Sequence, residues 1–416
     1  MLTAPAAPVY DSSFRREKIK MSLSGKRASI IIAGDWAPIR ALEPVVSRRP
    51  ESAYGEILPA LRGADLRVVN CECALTAARK PVWKSGAVFK GLPAHVAGLT
   101  AVPFEVACLA NNHVFDYGLP GFRETLDVLG RNGVRTVGAG MTLEEATAPL
   151  TLTVRGMRVA VVNFSEGEDL TASTGGPGVC GWEIDRLAGA IRKAKSCGDF
   201  VIAVGHAGLE YIPFPPPYVV EAFRALADAG ADCVVGHHSH VPQGLESRRG
   251  RLIAYSLGNF VFYQPAELYY RRTGFCLSLD VRAGRLASYG VHPYRITGRG
   301  LCGLGRGEES RFREKLRQVS RPLGSARGVA EAWQAYLAYY GAAGFKKEVR
   351  GILDAMESEP RKGAAMFRNR ITTLQHSELW RDALTRLMSE KPAPARPAWT
   401  RLIREWFARP VAAGKA

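Results

Sequence analysis

Between residues 28 and 281 the chain alternates short apolar, β-branched runs with helical patterns, and several runs end in Asp, Glu, Asn or His. Runs at 28–34, 66–70, 104–110, 158–164, 200–205, 232–236, 252–262 and 275–281 predict strands. Periodic stretches at 120–132, 183–196 and 218–230 predict helices, the last stopping at Gly230 as a helix should. The alternation implies an α/β domain.

The polar residues sit where those strands finish: Gly34-Asp35, Asn70-Cys71-Glu72, Asn111-Asn112-His113 with Asp116, His206, and Gly236-His237-His238-Ser239-His240. Open α/β sheets bind ligands outside the carboxyl ends of their strands, so residues spread along the chain can converge on one site. Carboxylate, amide oxygen and imidazole suit a borderline divalent ion, and a bridging carboxylate can hold two ions about 3.5–4 Å apart. Taken singly each has a plainer reading: Gly-Asp is a turn dipeptide, Asn-Asn is common in loops, and a strand-end histidine such as His206 often only donates a supporting hydrogen bond. Their joint ordering points to a metal site. His95, His292 and His376 lack such company and are set aside.

The net charge of +17 and pI near 9.7 favour a polyanionic substrate, nucleic acid or an anionic membrane surface. From Arg306 onward 22 Lys/Arg face 12 Asp/Glu, so this segment carries +10 of the +17, mostly away from the expected site. Residues 1–26 read as a loose basic tail and 27–300 as the α/β domain. A helical extension follows over 305–390, with helices expected at 308–320, 328–342, 346–357 and 377–389. Over 391–416, a Pro-rich joint leads to an amphipathic stretch with Trp399, Leu402, Ile403, Trp406 and Phe407 on one face. That face suits either an interfacial membrane contact or docking onto the protein body.

Eight cysteines form no disulfide framework, and Cys71-x-Cys73 has no second pair at zinc-site spacing, so core or loop thiols in a reducing compartment are expected. No apolar stretch approaches the length needed to span a bilayer, and the residues after Arg15-Arg16 are too polar for a signal peptide. A cytoplasmic location follows, with peripheral membrane contact through the C-terminal tail as the open alternative.

Six motifs carry a resemblance: Gly34-Asp35; Asn70-x-Glu72; Ala110-Asn111-Asn112-His113-x-x-Asp116-x-Gly118; His206-x-Gly208-x-Glu210-Tyr211; Gly236-His237-His238-x-His240-Val241-x-Gln243-Gly244; and Tyr255-Ser256-Leu257-Gly258-Asn259-Phe260. At these residues the chain resembles the CapA family of bacterial capsule and poly-γ-glutamate biosynthesis proteins, within the calcineurin-like metallophosphoesterases, over about residues 28–295. The resemblance implies a four-layer αββα sandwich and one or two divalent ions (Mn, Fe or Zn). Asp35 and His240 would bind the first ion, Asn112, His206 and His238 the second, and Glu72 would bridge them. His113 is implied as general acid or electrostatic partner of the leaving oxygen, with Asp116 orienting it. The superfamily's Asp-x-His motif reads Asp35-Trp36-Ala37 here, which removes one usual ligand, and Ala207 and Ser239 replace the family's frequent Trp and Pro.

Two functional classes are implied. One is a metal-dependent hydrolase of phosphoester type, acting on a polyanionic polymer or a phosphorylated small substrate. The other is a non-catalytic polymer-assembly or export subunit working with a membrane-bound synthase. Nucleic-acid processing ranks below both, because the basic charge is dispersed and no nucleic-acid module is present.

Overall fold

Ile30, Ile32, Leu66, Val68 and Val106 pack into one buried cluster while Ile31, Ala33, Val69 and Ala107 pack into another, the period of two that a strand buried on both faces requires. The computed structural model describes residues 26–167 and 170–411, so the expected loose tail lies outside the described residues except for Lys26. Thirteen strands build the two large sheets: β1 (Arg27–Trp36), β2 (Leu66–Cys71), β3 (Val106–Cys108), β4 (Arg135–Val137), β5 (Leu150–Val154), β6 (Met157–Ser165), β7 (Phe200–His206), β8 (Cys233–His237), β9 (Leu245–Arg248), β10 (Arg251–Ala254), β11 (Thr273–Arg282), β12 (Arg285–Thr297) and β13 (Gly300–Gly303). One sheet runs β13-β12-β11-β1-β2-β3-β4, the other β9-β10-β8-β7-β6-β5. Four neighbouring strands in each are parallel, β1 to β4 in the first and β6, β7, β8 and β10 in the second.

The α/β class is as expected. The first buried cluster mixes residues of both sheets, Ile30 and Val68 with Val161, Ile202 and Val235. Helix α1 (Gly118–Arg131) contributes Phe122 and Leu129 to the cluster on the far side of the first sheet. Helices α2 (Ile184–Ser196) and α3 (Pro217–Ala229) contribute Leu187, Ile191, Phe223 and Leu226 to a third cluster on the second sheet.

The two sheets meet at their strand ends. Asp35 bridges Asn259, and the Asp35 amide donates to the Gly258 carbonyl at 3.2 Å. Gly34 is required there, because a Cβ would run into the Gly258 carbonyl oxygen. This crossing corrects the strand expected over 252–262. Only Arg251–Ala254 is strand, and the apolar residues beyond it, Phe260, Val261 and Phe262, are buried because they cover the end of β1. The run at 104–110 likewise contracts to Val106–Cys108, while β12 was hidden by weak alternation over half-exposed residues.

Beyond the sheets lie α4 (Arg306–Ser320), α5 (Ala326–Ser358), α6 (Pro360–Thr372), α7 (Leu374–Met388) and α8 (Pro397–Ala408). The helices expected at 328–342 and 346–357 are one element, α5, kinked at Gly341 (φ 50°, ψ −167°). This backbone conformation is essentially reserved for glycine, so Gly341→Ala is expected to cost about 1–3 kcal/mol in urea unfolding. An unchanged midpoint would show that the kink is not needed. The segment does not stand off from the body, since Phe312, Leu316 and Val319 of α4 join the cluster between the sheets. The apolar face of α8 is turned inward too. Trp406 stacks on Tyr270 with centroids 3.5 Å apart and planes at 5°, and Trp399 meets Phe214 edge-on. The face open to two readings is therefore docked on the protein body. No helix among the described residues is long and apolar enough to cross a membrane.

All eight cysteines are free. Cys71 and Cys73 are buried, as expected of core thiols.

Candidate metal centre

The carboxyl ends of the parallel strands place the expected residues together. β7 and β8 pair in register His206↔His237, β1 delivers Asp35, and β2 delivers Asn70 with Glu72 one residue beyond its end. Asp35, Glu72, His206, His238 and His240 are all at most 2% exposed.

Among the described residues, two groups of three ligand-type residues have donor atoms within 4.8 Å of one another: Asp35, Glu72 and His206; and Glu72, His238 and His240. Glu72 belongs to both, which suits a bridging place. The division differs from the one implied by the resemblance, since His206 stands with Asp35 and His238 with His240. Asn112 Oδ1 at 2.9 Å and His238 Nδ1 at 3.1 Å both lie on His206 Nε2, so these three also converge.

The donor atoms fit a cation. Among the described residues, both Glu72 carboxylate oxygens and Asp35 Oδ2 are buried without a hydrogen-bond partner, an arrangement costly unless a cation meets them. His206 and His240 approach Glu72 Oε1 only to 3.5 and 3.6 Å. His240 Nδ1 lies 3.2 Å from Asp35 Oδ2 but closer, at 2.9 Å, to Asn259 Oδ1, so it leaves the Asp35 oxygen without an aligned partner.

Electrostatics follow from this crowding. Burial, reinforced by the Asp35 charge, pushes the Glu72 carboxyl well above its ordinary value. Burial acts on Asp35 in the same direction, but His237 and His240 outweigh it and hold that carboxyl well below the usual range. Burial and then His238 depress His206. Against its own burial, His240 is pushed up to about 10 by Glu72 and Asp35.

His113 sits beside this cluster on the loop after β3. Its Nδ1 is 2.6 Å from Asp116 Oδ2, and the Phe89 ring packs against its ring, centroids 4.2 Å apart and planes tilted by 36°. Asp116 is held in turn by the Phe89 amide at 2.6 Å and by Lys84 Nζ at 2.9 Å, while Lys84 also donates to the Asn112 carbonyl at 2.6 Å. Burial would raise the Asp116 carboxyl, but His113 and then Lys84 bring it below its ordinary value. Such a lowered carboxylate contributes stability above its unfolded pKa and loses it as pH falls through the folded one. Lys84→Met breaks a pair whose side chains are 1% and 0% exposed and is expected to cost about 3 kcal/mol. The deficit is full above roughly pH 4 and shrinks in acid. Equal stability of variant and wild type at pH 7 would contradict the pairing.

Several residues of the site carried no role in the sequence reading. His237 stands inside the histidine cluster, and its Nδ1 lies 2.8 Å from Asp35 Oδ1. Asn70 Nδ2 donates to the same oxygen at 2.9 Å. Gln375, from α7 of the extension, places its amide 2.8 Å from His238 Nε2, with its NH2 turned to the Gly208 carbonyl and to Glu166 Oε1 at 3.3 Å. Lys362 of α6 donates to the carbonyls of Lys84 and Gly86 at 3.0 and 2.9 Å. The extension therefore reaches both the histidines and the loop supporting His113. Of the histidines set aside, His95 and His292 are tied to Ser47 and Ser278, whereas His376 lies next to Gln375 and is depressed to about 3 by burial.

Two parallel sheet halves with a buried carboxylate and imidazole cluster at their joined ends define an α/β protein with a site suited to divalent ions. The chain belongs to the bacterial capsule synthesis protein PGA_cap family, whose profile matches residues 29–264. It is 32% identical over 241 residues to the PGA biosynthesis protein CapA of Bacillus subtilis, covering 57% of this chain and 63% of that one. It is 31% identical over 249 residues to the capsule biosynthesis protein CapA of Bacillus anthracis, covering 58% and 61%. A probable polyglutamine synthesis accessory protein of Mycobacterium tuberculosis is 29% identical over 299 residues, covering 65% and 77%. The matches with the two Bacillus proteins thus span a little over three-fifths of their length. The recognition reached from the motifs is confirmed, and the family match ends more than a hundred residues before Gln375.

Proposed function

We propose that this CapA-like protein carries a metal-dependent hydrolase site of phosphoesterase type, on a four-layer αββα sandwich, and serves capsule or poly-γ-glutamate synthesis. The observation that carries the reading is Glu72, wholly buried, with neither oxygen hydrogen-bonded among the described residues, and common to both groups of ligand-type residues. The sandwich is supported by three buried clusters, one between the sheets and one under the helices on each outer side. Asp35, Glu72, His206, His238 and His240, with Asn112, are the residues that would hold the ions. Divalent ions there supply Lewis acidity for the attack of water on a phosphoester.

The chain's own part is to place a proton. His113, its Nδ1 fixed by Asp116, is the residue that would protonate the departing oxygen, and Lys84 helps to keep Asp116 charged. Phe89 and Phe262 wall this side of the site with apolar surface. The non-catalytic assembly reading is favoured by one observation, Ala37 in place of a superfamily ligand. Hydrolysis of bis(p-nitrophenyl) phosphate tests the choice. Turnover that appears with manganese or zinc and vanishes with chelator is expected; no turnover with any divalent metal selects the assembly role.

A further inference from the structure

Seven described residues other than glycine take a positive φ. Arg155, Arg249 and Ala283 each precede a glycine in a two-residue hairpin connection, where that conformation is routine. The other four are Arg40 (57°), Tyr211 (66°), His238 (85°) and His240 (57°). Left-handed backbone at side-chain-bearing residues is strained and gathers at functional sites. His238 and His240 are accounted for by the metal centre, whereas Arg40 and Tyr211 are not.

Both belong to the same kind of arrangement. Tyr211 lies over His240 with centroids 5.8 Å apart, and the Arg271 guanidinium sits 3.6 Å from the Tyr211 ring centroid. Arg40 sits 5.5 Å from the centroid of Phe89, the ring that packs on His113. Phe262 links the two, 5.1 Å from Phe89 and 5.2 Å from His240. His113 and His240 are thus each flanked by an aromatic ring carrying an arginine. Neither Arg40 nor Arg271 forms an ion pair among the described residues; Arg40 donates only to the Tyr263 carbonyl, at 3.2 Å. Unpaired guanidinium groups oriented by stacking are suited to gripping carboxylates through two parallel hydrogen bonds.

We propose that Arg271 and Arg40 form a two-point anion rim, one point beside His240 and one beside His113, that grips separate carboxylates of an extended polycarboxylate chain and draws it across the metal centre. The inference rests on the polymer reading of the proposed function but not on hydrolysis. With one point on the His113 side of Phe262 and the other on the His240 side, the rim is expected to read length as well as charge.

The test is binding of fluorescein-labelled γ-linked decaglutamate to the full chain, by anisotropy at fixed salt, with free glutamate as competitor. Arg271→Gln and Arg40→Gln are each expected to weaken binding about tenfold and together about a hundredfold, each step equal to one charge-assisted contact. Free glutamate should compete poorly with the wild type. Exposed Lys346 and Lys347, replaced together by Gln, control for general charge, and Arg271→Gln alone carries the test if Arg40 variants fail to fold. Wild-type protein that does not bind the decaglutamate, or equal losses in the lysine control, would overturn the rim. Metal content and phosphodiester turnover measured on the same samples keep the two readings apart: arginine-dependent binding without turnover removes the hydrolase and leaves the rim.

Discussion

Chelator-treated protein is expected to gain about 2.7 kcal/mol of stability when manganese or zinc is supplied at a hundred times its dissociation constant, and about 4.1 kcal/mol at a thousand times. The gain arises because only the folded chain brings Asp35, Glu72 and the histidines together from strands far apart in sequence. Relief of three buried carboxylate oxygens that lack a partner among the described residues is one source of the affinity behind that gain. Replacing His238 and His240 together by alanine should abolish the gain while leaving both sheets intact, since neither side chain belongs to the buried apolar clusters. Thermal unfolding with and without metal checks this. A metal-induced shift that persists in the double variant would place the ion elsewhere.

His113→Ala is expected to lower metal-dependent turnover by about 10²–10⁴, the usual contribution of a positioned general acid. Its metal-induced thermal shift should match that of the wild type, because His113 belongs to neither group of ligand-type residues. Asp116→Asn should fall between the two, since the amide keeps the geometry but not the charge behind the imidazole. Steady-state rates alongside thermal shifts separate the roles. Loss of metal binding in His113→Ala would make it a ligand instead of an acid, and unchanged turnover would remove it from the chemistry.

The strand-end residues were legible in sequence because a β-rich run followed by ligand-type residues is a local pattern, and Asp35, Glu72, Asn112, His206, His238 and His240 do converge. What supports them was not. Lys84 lies 32 residues from Asp116, in a stretch without periodicity, and Gln375 stands 137 residues from His238, so only the folded chain joins them. Phe260, Val261 and Phe262 imitate a strand because covering the end of β1 demands the same apolar residues that a sheet demands. The docked tail could be read only as a choice, since a Trp-bearing helical face looks the same whether Tyr270 or a lipid interface receives it.

The most direct test of the central claim, that Glu72 is shared by two divalent ions, is the metal stoichiometry of the reconstituted full chain, by plasma mass spectrometry, beside Glu72→Gln. The account predicts near two equivalents of manganese, iron or zinc in the wild type and at most one, weakly held, in the variant. No metal above background in the reconstituted wild type, or equal content in both proteins, would contradict it.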